Sequence, residues 1–234
     1  MQVYDRDKLN DAISIGQPVE GEDLSRLDLS GLDLGGANLR GSDLSNTNLT
    51  GTNFEEAHLE RVKFEGAILR ETNFSGAHLS EISLRDVDLR SCILTRITAL
   101  DSHFLRIKLS GQDLTKSKLS GSTIIYSTFQ DLDLAESVMS NMKILFCLIE
   151  SCKLDKCDFS STNFGLSHLK KTSLNEVTLA KTSFMAATIE DVQIRTSAIE
   201  MVDFTLAQVN GLDVTDSKQR GIIMERASVK NLKR

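Results

Sequence analysis

Four cysteines, four histidines and many Ser, Thr, Asp and Asn residues are what this 234-residue chain could use for chemistry. Cys147, Cys152 and Cys157 form a C-x4-C-x4-C series, and Cys92 stands alone. Zinc needs thiolates brought to one point, which that spacing provides only if the three share a face. His58 and His78 are twenty residues apart, and His103 and His168 follow. Gly36 to Gly41 spells GxxxxG, but Ser42 comes next where a phosphate-binding loop has Lys. Nucleophilic catalysis needs a nucleophile, a base and an orienting group in one cleft. Whether any of these sets converges depends on the elements that carry them.

Those elements keep one beat. A large apolar residue returns at every fifth position from Leu24 through Leu29, Leu34, Leu39 and Leu44 to Leu94. It lapses at Ala99, resumes in the same frame at Phe104, lapses again at Gln219, and ends with Met224 and Val229. A period of five suits neither an amphipathic helix nor a long flat strand. Two positions before each large residue sits a smaller one, such as Ala37, Ala57, Ser117 or Thr172, and the residue between them is usually polar. In, out, in describes one short extended segment. The remaining two positions must turn, and Gly takes the second of them at Gly31, Gly41, Gly51 and seven further places. There it supplies the positive φ of the third residue of a type II turn.

A three-residue side and a corner, repeated four times, close into a square coil of about twenty residues. Such coils stack at roughly 4.8 Å, so about ten of them make a rod on the order of 50 Å long. The stretch GANLRGSDLSNTNLTGTNF, residues 36–54, resembles the pentapeptide-repeat family. That resemblance implies an all-β fold, a right-handed quadrilateral parallel β-helix, over most of the chain. Residues 1–20 are read as an N-terminal cap with a short helix, in which Asp5 is the N-cap and Leu9, Ala12 and Ile13 share a face. Residues 21–216 are the repeat solenoid, and 217–234 a final imperfect coil or C-terminal cap. At Ala99 the expectation is a small void, or a local bulge that swings Leu100 inward.

On such a coil the chemistry disperses. Consecutive repeats put Cys147, Cys152 and Cys157 on three different sides, so the cysteines read as small buried hydrophobes. His58 and His78 stack outward, but their file continues with Asn38 and Thr98, which are poor third ligands. They read as a solvated ladder pair. No catalytic, cofactor or metal residues are assigned, and an uninterrupted rod offers no cleft for an enzyme. The opening MQVYDRDKLN lacks the pattern of a secretory signal and no run is long and apolar enough to span a membrane. With thiols that suit a reducing compartment, this points to the cytoplasm.

Two surface features exceed what the repeat requires. Net charge is −6, but residues 1–60 carry −8 and residues 218–234 carry +5. Asp23, Asp28, Asp33, Asp43, Glu55, Glu56 and Glu60 make an acidic head. The second feature is one corner of the four. Three corners carry mainly Gly, Ser, Thr and charged residues, whereas the fourth turns apolar for six coils: Leu105, Ile125, Tyr126, Leu145, Phe146, Leu166, Met185 and Leu206, widened by Leu148. A contiguous apolar strip marks an interaction surface. The function read from this is a non-enzymatic interaction scaffold that binds a partner protein or a second copy of itself. The family resemblance implies an alternative, DNA-mimicking binding to DNA gyrase with quinolone or toxin resistance, for which the acidic head would supply the charge. No membrane, small-molecule substrate or direct nucleic-acid partner is expected, since no basic groove with stacking aromatics appears.

Overall fold

The computed structural model describes residues 4–234; Met1, Gln2 and Val3, part of the expected cap, lie outside it. The chain is a right-handed quadrilateral parallel β-helix with one short helix at its start. Backbone pairs step by twenty residues on each of four walls: Asp23 with Asp43, Asp28 with Asn48, Asp33 with Asn53, and Asn38 with His58. On one wall His103–Leu105 pairs with Thr123–Ile125, and that with Lys143–Leu145, all parallel and in register.

The beat residues fill the lumen. Leu24, Leu39, Phe54, Leu114, Phe164 and Phe204 are buried, and phenylalanines stack along the axis. Phe164, Phe184 and Phe204 lie nearly parallel, with ring centroids 5.1 and 5.2 Å apart. The smaller inward position has a second job. Its hydroxyls bond to the backbone of the preceding coil, as Ser42 Oγ does to the Val19 carbonyl (2.7 Å) and Thr52 Oγ1 to that of Leu29 (2.8 Å). For Val19 the hydroxyl satisfies a carbonyl that its own corner leaves unpaired, and for Leu29 it adds a second bond to a carbonyl that already accepts from Leu32 N–H at 3.2 Å.

At the corners, every fifth residue from Gly21 to Asn231 lies in the left-handed region, with the single exception of Ser91. Glycine meets this need at eleven of those corners, and Arg, Lys, Glu, Asp and even Tyr and Phe meet it elsewhere.

The helix Arg6–Ser14 closes the first coil. Asp5 accepts from the Lys8 backbone N–H, and Leu9 and Ala12 are buried against the lumen. Arg6 ties it down by donating to the carbonyls of Asp28 and Ser30, at 2.9 and 2.8 Å. At the other end the coil pattern continues without a helix. Lys218–Arg220 pairs with Ala198–Glu200, setting Gln219 opposite Ile199, and Ser228–Lys230 pairs with Gln208–Asn210.

Ala99 does not perturb the wall. Its N–H donates to the Lys118 carbonyl at 2.8 Å, and Leu100 stays half-buried at the corner outside the core. The bulge is therefore not formed; an apolar cavity of about 50 Å³ does run along the lumen between Phe64, Leu84, Leu94, Phe104 and Leu109, but Ala99 is not among the residues that line it.

The real irregularity lies elsewhere. Among the described residues, the amides of Phe64, Gly66 and Leu69 have no ladder bond to Ser83, Arg85 and Asp88, where the twenty-residue step would put one. The gap then crosses the chain at Ser91 and reappears one coil later, between Leu94 and Asp113. Side chains fill in: Ser91 Oγ accepts from Glu71 N–H at 3.0 Å, and the Gln112 amide donates to the Leu89 and Cys92 carbonyls at 2.5 and 2.9 Å. Gln112 occupies a small inward position, and its length lets it take carbonyls that the next coil would otherwise use.

Candidate functional site

The apolar strip forms as a continuous edge. Leu105, Ile125 and Leu145 are consecutive partners in the ladder, each half-buried, and beside them Tyr126 and Phe146 stack with ring centroids 4.9 Å apart. Leu166 and Met185 continue the corner, joined by Leu166 N–H to the Met185 carbonyl, and Leu206 follows. Tyr126, Phe146, Leu166, Met185 and Leu206 are between 45 and 56% exposed, so this edge is apolar surface and not core. Leu148 is half-buried on the adjoining wall, between Thr128 and His168 in the ladder. Polar groups bound the strip. At one end Arg106 grips Asp86 with bonds of 2.5 and 2.7 Å, and at the other Glu225 follows Leu206 in the stack.

The strip shares its backbone conformation with the other corners. Tyr126, Phe146, Leu166 and Leu206 all have φ between 53° and 61°. A bulky residue pays roughly 1–2 kcal/mol to sit there, and glycine would not. Arg, Lys, Glu and Asp bear the same cost at the other corners, so what sets this corner apart is the apolar character of its side chains.

The acidic residues do not gather in the same way. Asp23 and Asp43 lie on one wall, which continues with Lys63; Asp28 is on the second, and Asp33 on the third, ahead of Asn53. Glu55 and Glu56 follow at the next corner and Glu60 at another. Most of these aspartates are part of the turn chemistry: Asp23, Asp28, Asp33 and Asp43 each accept a backbone N–H two residues on, at 2.9 to 3.1 Å. Hydrogen bonds from the Ser25, Ser30 and Ser45 side chains, together with these backbone bonds, hold the carboxyls of Asp23, Asp28 and Asp43 below their ordinary range. Asp43 also faces Lys63 Nζ at 3.7 Å.

The cysteines are all free and buried. Each thiol points at a carbonyl of the preceding coil, Cys92 at Leu69 (2.9 Å) and Cys157 at Leu134 (3.1 Å), in the role Ser and Thr play elsewhere. Burial pushes the Cys92 and Cys157 thiols up to about 12 and those of Cys147 and Cys152 to about 11, values at which a nucleophile or ligand is disfavoured at neutral pH.

The histidine pair does gather partners. The rings of His58 and His78 are 4.8 Å apart. Glu60, from the corner two residues beyond His58, brings Oε1 to 3.7 Å from His58 Nδ1. Arg40, one coil earlier, reaches both, with Nη2 2.6 Å from His58 Nδ1 and Nε 3.0 Å from Glu60 Oε2. The search for a third ligand along the histidine file missed this, because the carboxylate comes from the corner and not from the wall. Sequence reasoning also passed over exposed Ile68, on the wall that carries Leu148 but four coils earlier, and exposed Ile93 on the next wall.

Residues 24–94 match the model of the pentapeptide repeat region. Among solved structures, the chain is similar to HetL, a pentapeptide repeat protein involved in heterocyst differentiation regulation from the cyanobacterium Nostoc sp. strain PCC 7120. The identity is 19%, 97% of this chain and 95% of that one are covered, and the TM-score is 0.57. QnrB1, a plasmid-mediated fluoroquinolone resistance protein, aligns at 18% identity over 91% of this chain and 89% of its own, with a TM-score of 0.31. A pentapeptide repeat protein of the Arabidopsis thaliana thylakoid lumen aligns at 24% identity over 50% and 68%, with a TM-score of 0.31. No curated protein matches the sequence. No helix among the described residues is long and apolar enough to cross a membrane. At these identities the likeness establishes the fold alone.

Proposed function

Because the chain is a pentapeptide-repeat β-helix whose one concentrated surface feature is an apolar edge, we propose that it is a non-enzymatic scaffold that binds a partner protein through that edge. The observation that carries the reading is the row of Tyr126, Phe146, Leu166 and Leu206, held exposed at positive φ. Apolar side chains held in the open in a row at one corner of four offer contact area that the fold does not use. Aromatic and aliphatic anchors in a strip of about 24 Å, five coil steps long, suit a partner that lays down an extended apolar segment.

The test replaces Tyr126 and Phe146 by Ser in the full chain and compares it with the unchanged protein by light scattering and by capture from a bacterial lysate. Loss of one defined captured protein, with the fold intact by circular dichroism, is the expected result. A fall in molecular mass instead would make the partner a second copy of this chain. If mass and capture both stay as they were, the edge has no binding role and the proposal fails.

The DNA-gyrase reading has less support. A duplex mimic needs its charge in one track facing a basic saddle, whereas the acidic head is spread over three walls and their corners, with Lys63 continuing the first. A supercoiling assay with and without quinolone separates the two readings: protection of gyrase would favour mimicry over the apolar edge.

A further inference from the structure

The cluster of His58, Glu60 and His78 is the one place among the described residues where three metal-ligating side chains converge. One ligand atom from each lies within 4.8 Å of the others. Two imidazoles and a carboxylate form a donor set that suits zinc and its neighbours over magnesium or calcium. The positions are held by the fold: His58 and His78 are ladder partners on consecutive coils, and Glu60 is two residues along from His58.

The cluster already holds a cation. The Arg40 guanidinium contacts His58 Nδ1 at 2.6 Å and Glu60 Oε1 at 3.2 Å. Since guanidinium only donates, its bond to Nδ1 leaves the lone pair of that nitrogen directed into the cluster, where a metal would use it. We propose that His58, Glu60 and His78 bind a zinc-class divalent cation, which takes the place of the Arg40 guanidinium and ties two consecutive coils together. The exchange is sterically open. The side chains of Arg40 and His58 are 34 and 36% exposed and that of Glu60 is 19%, so the cluster opens to solvent on the side that Arg40 covers. Zn–N bonds of about 2.0–2.1 Å place two tetrahedral ligand atoms about 3.3 Å apart, so side-chain rotations of roughly 1.5 Å complete the geometry while the coils stay in register. A fourth position is left for water.

Zn²⁺ titrated calorimetrically into chelator-treated full-length protein tests this, with Co²⁺ absorption reporting the ligand geometry. One equivalent should bind. His58→Ala and His78→Ala should each weaken binding by about tenfold or more, and Arg40→Ala should tighten it by removing the competing cation. Zn²⁺ should raise the thermal midpoint of the unchanged protein but not that of His78→Ala. No saturable binding, or binding that both histidine variants leave untouched, would overturn the site, the second by placing the metal elsewhere. These side chains are half-buried on the outer wall, and circular dichroism of each variant checks that the coil is kept. A failed titration would leave the apolar edge unaffected, since the two tests share no residue.

Discussion

Corner residues set against their backbone are where fold and function separate most clearly. Leu206 has φ 61° and is 50% exposed, so it contributes little to the core while sitting in a conformation that L residues resist. Leu206→Gly is therefore expected to stabilise the chain by about 0.5–1 kcal/mol in denaturant unfolding, the relief at positive φ outweighing the entropy of glycine in the unfolded chain. The same change should weaken partner binding. A loss of stability would mean that Leu206 packs as core and is not held for contact. The frequency of Gly in the repeat made these corners readable, but it understated how many other residues the corner accepts.

At the scale of the coil, stability comes from stacked layers rather than from long-range elements. Phe184 is fully buried, with Phe164 and Phe204 above and below it at 5.1 and 5.2 Å. Phe184→Ala should cost about 3–5 kcal/mol, the loss of a large buried ring plus the cavity it leaves. Thermal or denaturant unfolding measures it, and a cost below about 1 kcal/mol would mean that neighbouring coils collapse into the gap. The beat named Phe184 as inward from sequence alone. The hydroxyl and thiol bonds of the smaller position were not legible in the same way, because Ser, Thr and Cys at that place are also explained by size.

Over the whole molecule the rod is continuous in frame but not in hydrogen bonding. Leu44, Asn46 and Leu49 donate to Lys63, Glu65 and Ile68 at 2.8 to 2.9 Å, while Phe64, Gly66 and Leu69, one coil on, lack the equivalent bonds. Amide hydrogen exchange should be faster at the second set than at the first; equal protection would mean that the ladder closes there in solution. Gln112→Ser, which restores a small inward residue, should slow exchange at Asp113, whose amide the ladder pattern would pair with the Cys92 carbonyl that Gln112 now holds. The charge gradient also belongs to this scale. It was legible in the sequence, yet its consequence was not, since the acidic residues divide among walls according to position within each coil.

The sequence by itself determined the architecture. A large apolar side chain at every fifth position has one economical way to leave water, and that burial dictates four walls, a lumen and the inward residues from Leu24 to Val214, although Val229 in the last coil is exposed. It also determined the apolar edge, because a step of twenty brings Leu105, Ile125 and Leu145 together without reference to any side-chain torsion. Only the tertiary structure decided where Glu60 and Arg40 turn from their corners toward His58, and where Gln112 takes the place of a ladder bond. Those outcomes depend on side-chain rotation and on competition among donors for the same carbonyls, which the repeat period does not encode.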